Sequence, residues 1–266
     1  MVTYLCPLFS GSSGNATLVE IGGARILVDA GKPGNCLSAA LRCAGIPPES
    51  IAALLITHEH IDHVRGAGVF SRRYGVPIYA NAGTWEGMAP LIGDIAPANI
   101  RVFATEHGFF IKEAAVFPFK TPHDARESVG YRFEAESRSM VVMTDIGHAD
   151  PLLLDCAAGS DLVLIEANHD PELVRSCRYP FLTKQRILSD NGHLSNENAG
   201  RALARLYSTG VRRAILAHLS RDNNFEELAL STVRDQLRLA DIPDEAFDLT
   251  VARRDEVTGM FQVAEG

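Results

Sequence analysis

The chain has 266 residues, 46% hydrophobic and 22% charged, with a formal net charge of −8. That length suits one large α/β domain or two fused halves, and the composition excludes extensive disorder, collagen-like repeats and coiled coil. The longest aliphatic run, Ile51–Ile56, falls far short of a membrane helix, and the acidic balance argues against wrapping duplex DNA on a broad basic surface. Met1–Ser10 has no basic residue and no small-residue cleavage site, so no signal peptide is expected. Cys6, Cys36, Cys43, Cys156 and Cys177 are odd in number and scattered, with no CxxC pair. Free thiols in a reducing cytoplasm fit that pattern better than a disulfide framework.

In chain order, Val2–Leu8 and Ala16–Ile21 read as strands around a Gly/Ser turn, Ser10–Asn15. Gly22-Gly23 reads as a hairpin turn into Arg25–Val28. Leu37, Ala40, Leu41 and Ala44 make a helical stripe that stops at Gly45. Ala53–Thr57 is a short strand running into His58. Residues 66–74 read as helix, Pro77–Ala80 as strand, and 100–145 as mostly β, ending at Ser139–Asp145. Leu162–Glu166 and Ala214–Ala217 are buried strands, and Thr258–Val263 is a final one. Helices are expected near 171–177, over 196–208 and over 226–240, the last with Leu230, Val233, Leu237 and Ala240 as its stripe. No linker or composition shift divides the chain, so 1–266 reads as a single domain.

Several apolar strands end abruptly in a titratable residue: Asp29, His58, Asp145, Glu166 and His218. Strand ends opening toward one edge are where layered α/β folds place chemistry. The strongest signal is Thr57-His58-Glu59-His60-Ile61-Asp62-His63-Val64-Arg65-Gly66. Imidazole and carboxylate donors at this density suit Zn²⁺, Mn²⁺ or Fe²⁺. Asp145 after an apolar strand would be a costly buried acid without a cation partner.

His58, His60, Asp62, His63 and Gly66 match the HxHxDHxxG motif, and Asp29, His123, Asp145 and His218 follow the order of the other conserved positions. The chain thereby resembles the metallo-β-lactamase superfamily over essentially its whole length. The resemblance implies a four-layer αββα sandwich with two divalent metal ions. It assigns His58, His60 and His123 to one ion and Asp62, His63 and His218 to the other. Asp145 would bridge them, and Asp29 would orient ligand histidines through their second ring nitrogen. His193 competes with His218 for the last ligand position, and the strand-His-Leu-Ser context favours His218.

Ser195 reads as the N-cap of the helix over 196–208, a place where backbone N–H groups attract phosphate. His193 just before it is placed to protonate a leaving oxygen, with Glu166 to orient it. This pattern is similar to the nucleolytic branch of the superfamily. Ser10–Asn15, Glu166–Asp170, Gly192–Asn196 and Ala217–Ser220 resemble the YycJ/WalJ family of small stand-alone bacterial proteins. That family implies a DNA exonuclease running 5′ to 3′. The mechanism expected on such a site is attack of a metal-bridging hydroxide on phosphorus, with Asp62 accepting a proton. Ser12, Ser13 and Asn15 of the Gly/Ser turn, with Ser195, Lys184 and Arg186, are the expected substrate contacts. The expected substrate is a DNA end or a short single-stranded tract, with no membrane and no obligatory protein partner. An ester, thioester or lactone hydrolase on the same metal site is the alternative, but it leaves the Glu166 and His193 segments unexplained. A di-iron redox protein is disfavoured by His60, where that branch carries Glu.

Overall fold

The computed structural model describes residues 2–263. They form two compact units, one of residues up to Lys120 with 125–138 and the segment from Arg253, the other of 121–124 and 139–252.

The first unit opens with β1 (Tyr4–Phe9), β2 (Ala16–Ile21) and β3 (Ala24–Val28), antiparallel in sequence. The β2–β3 turn needs left-handed backbone at both central positions, and Gly22 and Gly23 supply it with φ of 54° and 66°. Helix α1 (Gly34–Cys43) buries Leu37, Ala40 and Leu41, and Gly45 beyond it takes φ 76°. β4 (Ala53–Leu55) then pairs parallel with β3 and is followed by α2 (Ile61–Val64) and α3 (Ala67–Tyr74). β5 (Ile78–Ala80), α4 (Ala82–Ile92) and β6 (Ile100–Val102) extend the parallel part of the sheet. Leu18, Leu27, Leu37, Leu41, Leu54, Ile56, Phe70 and Ile78 pack into one core, each worth about 1.5–3 kcal/mol if fully removed from water. β7 (Phe109–Ile111), β8 (Ala114–Lys120) and β9 (Val129–Ala135) follow as an antiparallel run.

The second unit holds β10 (Arg138–Met143), α5 (Pro151–Asp155), β11 (Leu162–Glu166), α6 (Pro171–Ser176), α7 (Phe181–Ile187), α8 (Asn196–Ser208), β12 (Arg213–Ala217), α9 (Glu226–Leu239) and β13 (Asp248–Val251). Its strands β10 to β13 run parallel in that order. Because β10, β11 and β12 point the same way, their C-terminal ends lie side by side. Buried Ala199, Ala202, Leu203 and Leu206 on α8, with Ala229, Val233 and Leu237 on α9, make the apolar seam between these helices. The α9 stripe therefore starts one residue earlier than the sequence suggests, at Ala229 rather than Leu230, and Ala240 is exposed. Gly200 allows the close approach, since a Cβ there would sit 2.6 Å from Cβ of Gln236.

The chain returns to the first unit with β14 (Phe261–Gln262), antiparallel to β1. This strand is shorter than the expected Thr258–Val263. Among the described residues no helix is long and apolar enough to cross a membrane.

Candidate metal centre

In the first unit, strand pairing puts Asp29 beside the start of the histidine segment. Val28 is opposite Leu55, and the Asp29 N–H donates to the Leu55 carbonyl at 2.8 Å. Asp29 then turns into left-handed backbone, φ 61°. Its carboxylate accepts from the Thr57 N–H at 2.9 Å and from the Thr57 hydroxyl, and meets His63 Nδ1 at 2.8 Å. An imidazole whose Nδ1–H is held by a carboxylate carries its lone pair on Nε2. Asn15 agrees with that tautomer: its amide nitrogen lies 3.0 Å from His63 Nε2, the position of a donor facing a lone pair. Thr57 Oγ1 likewise lies 3.0 Å from His58 Nδ1, and His58 Nε2 is 3.0 Å from His60 Nδ1. Asp62, at the start of α2, places a carboxylate oxygen 3.7 Å from His63 Nε2. Three imidazoles and one carboxylate thus converge, with His58 and His63 fully buried.

The second unit builds its cluster from parallel strand ends. Asp145 lies two residues past β10, Glu166 ends β11, and His218 follows β12. Asp145 and His218 both adopt left-handed backbone, φ 56° and 57°. Non-glycine residues there store strain that persists where a structure holds a functional side chain in place. The Asp145 carboxylate has His123, His193 and His218 ring nitrogens at 3.6, 3.8 and 3.6 Å. Glu166 Oε1 lies 2.8 Å from Nδ1 of both His193 and His218, and its Oε2 accepts from the Ile146 and Leu194 N–H groups at 2.8 and 3.2 Å. His123 Nδ1 faces the Gly192 carbonyl at 3.0 Å. Ligand atoms of Asp145, Glu166, His193 and His218 all fall within 4.8 Å of one another.

The donor chemistry fits a divalent metal. Both clusters consist of buried or half-buried imidazoles and carboxylates, and four rings, His58, His63, His123 and His218, have Nδ1 beside an oxygen partner. Rings held this way bind zinc-type ions through Nε2, the usual arrangement around such metals.

Residues 24–219 match the family model described as beta-lactamase superfamily domain. The chain belongs to the beta-lactamase superfamily. It is 39% identical over 237 residues to a Streptococcus pneumoniae protein named exodeoxyribonuclease WalJ, covering 88% of each chain. It is 38% identical to a Bacillus anthracis protein named exodeoxyribonuclease YycJ, covering 89% of this chain and 90% of that one. The solved metallo-beta-lactamase fold protein YhfI of Bacillus subtilis superposes with a TM-score of 0.70 at 17% identity, covering 96% and 98% of the two chains, which shows the fold. The metallo-β-lactamase fold and the YycJ/WalJ resemblance expected from the motifs are therefore the ones found.

Within this superfamily member, the other sequence candidates fall in varied settings. Ser195 caps α8, its hydroxyl accepting from the Asn198 N–H at 3.2 Å. Lys184 donates to the Arg175 carbonyl at 2.7 Å. Arg186 pairs with Asp124, the residue after His123, including one contact of 2.8 Å. Ser12 is exposed, and Ser13 contacts Lys32 and Asp255. The sequence reading missed the second contact of Glu166, to His218, and the joint role of Thr57 in holding Asp29 and His58. A threonine directly before the motif at a strand end was the available signal.

His169 lies in the Glu166–Asp170 segment that carries part of the family resemblance. It is 2% exposed, and its Nδ1 has no hydrogen-bond partner among the described residues. Burial pulls its pKa from 6.5 to about 4. Between those values the unfolded chain binds the extra proton and the folded chain does not, so acidification through that window favours unfolding. Chelator-treated wild type should lose about 2 kcal/mol more stability between pH 7 and pH 5 than His169→Gln does. Urea melts at the two pH values check this, and parallel losses would refute it.

Proposed function

We propose that this protein is a DNA exonuclease, working 5′ to 3′ from a strand end, with two divalent ions of the Zn²⁺ or Mn²⁺ type. The observation that carries the reading is the match over 88% of the chain to a protein named exodeoxyribonuclease. The Glu166–His193 pair beside Asp145 gives it chemical content. On this reading 1–266 acts as one functional domain in the cytoplasm, a location to which five free cysteines are suited.

His58, His60 and His123 would hold one ion, Asp62, His63 and His218 the other, with Asp145 shared, as the superfamily pattern assigns them. When bound, such ions lower the pKa of water and stabilise charge on phosphoryl oxygens. The chain's own groups supply the proton transfers. Asp62 accepts a proton from the attacking water as the new P–O bond forms. His193, protonated on both nitrogens, gives its Nε2 proton to the departing alkoxide as the old P–O bond breaks. Glu166 holds Nδ1–H of that ring, fixing its direction.

The test is digestion of end-labelled duplex DNA by protein stripped with chelator and reloaded with Mn²⁺. Progressive shortening from the 5′ end is expected, and it should vanish when the ion is withheld. Hydrolysis of a chromogenic thioester or lactone with no attack on DNA would move the function to the small-molecule branch.

A further inference from the structure

The Gly/Ser turn between β1 and β2 has the composition of an anion-binding nest, but two of its N–H groups are used within the turn. The Gly14 N–H donates to the Gly11 carbonyl at 2.9 Å, and the Gly11 N–H to the Asn15 side chain at 2.8 Å. The turn instead presents a different anion site. Lys32 Nζ lies 3.0 Å from Ser13 Oγ, and both groups contact one oxygen of Asp255, at 2.8 and 3.1 Å. A cation and a hydroxyl converging on one carboxylate oxygen have the polarity that a phosphate oxygen needs.

The site is built rather than incidental. The Lys32 side chain is only 16% exposed, while that of Asp255 is 66% exposed. The Lys32 ammonium lies 5.5 Å from the Phe9 ring centroid, a second attraction that keeps it in place without Asp255. Gly14 and Gly31 permit the close fold, since a Cβ at Gly14 would lie 2.7 Å from the Gly31 carbonyl oxygen and 2.9 Å from Lys32 Cδ. The same strip of backbone reaches the histidine cluster. Gly31 N–H donates to the Asn15 carbonyl, Asn15 N–H to the Asp62 carbonyl, each at 2.8 Å, and the Asn15 amide touches His63. The buried partner of the ion pair is therefore fixed to the metal-ligand loop, while the exposed partner sits on the C-terminal segment.

We propose that Lys32 and Ser13 bind a backbone phosphate of the DNA strand adjoining the scissile bond, and that Asp255 occupies this place as an exchangeable internal anion until the strand arrives. The proposal deepens the exonuclease reading and rests on it for the identity of the substrate. It makes Lys32 the positive charge that the turn alone lacks. It also makes Asp255 a competitor of substrate, so that removing either charge has opposite effects.

The experiment measures affinity of the metal-loaded full chain for a fluorescent single-stranded oligonucleotide with phosphorothioate linkages, by anisotropy over a range of salt. Asp255→Asn should bind several-fold more tightly than wild type. Lys32→Gln should bind about tenfold more weakly, with the slope of log affinity against log salt reduced by about 0.7. In the double variant the gain from Asp255→Asn should disappear, because the carboxylate has nothing left to mask. A misfolded variant cannot bind more tightly, so the Asp255→Asn arm separates docking from stability. Weaker or equal binding by Asp255→Asn, or an unchanged salt slope in Lys32→Gln, overturns the proposal. Wild type that binds the oligonucleotide but digests no DNA sinks the nuclease reading and leaves the docking site standing. Wild type that does not bind it sinks both.

Discussion

Alanine at His193 should slow DNA digestion by about 10²- to 10⁴-fold, the usual contribution of a positioned general acid. Metal content should stay at the wild-type level. His193 is the outlier of its cluster: its side chain is 14% exposed, against 0–3% for Glu166, His218 and Asp145. It sits ahead of α8 rather than at a strand end, and its Nδ1 is taken up by Glu166. A ring held on one side by a carboxylate and reachable on the other is arranged for proton delivery. His60→Ala should lose activity and metal together. Metal analysis of both variants beside their rates decides the assignment. Loss of an ion in His193→Ala would make this histidine a ligand, and an unchanged rate would remove it from the reaction.

Replacing Glu166 by alanine should destabilise the fold by about 3–5 kcal/mol, the cost of breaking a buried charge network from one side. This carboxylate is 0% exposed and receives hydrogen bonds from two histidines and two backbone N–H groups. Burial alone would raise its pKa, but the charge and hydrogen bond of His193, then those of His218, overcome that and hold it well below the carboxylate range. The stability it contributes is present above the unfolded pKa and is lost as pH falls through the folded one. Glu166→Gln keeps the volume but has only one acceptor oxygen for four donors. It should cost about 1–3 kcal/mol and lower kcat by misdirecting His193. Denaturant melts at neutral pH compare the two, and melts that overlay wild type would contradict this account.

The candidate site was legible because metal sites demand unusual composition at strand ends. Asp29, the histidine segment, Asp145, Glu166 and His218 all stand where an apolar run stops. The start of α8 was legible too, through its Ser195 N-cap. Helix α4 was not, since it contains Gly83, Gly87 and Pro90 and reads as loop. Tertiary packing explains its glycines: a Cβ at Gly87 would lie 2.5 Å from Glu59 Cγ, and one at Gly83 2.8 Å from Glu127 Cβ. Propensity yields there to close approach. Long-range polar partners were equally hidden. Nothing in the local sequence links Arg186 to Asp124 or Lys32 to Asp255, separated by 62 and 223 positions.

The left-handed backbone at Asp29, Asp145 and His218 sets the chain's working parts against its own durability. Each such residue stores about 1–3 kcal/mol of strain, and three together approach the about 5–15 kcal/mol margin of a whole domain. Glycine would relieve the strain at every one of these positions and remove a side chain of the candidate metal centre each time. Directed evolution for heat tolerance alone would thus drift toward a sturdier and inert protein, and consensus-based stabilisation of this chain has to hold those three codons fixed.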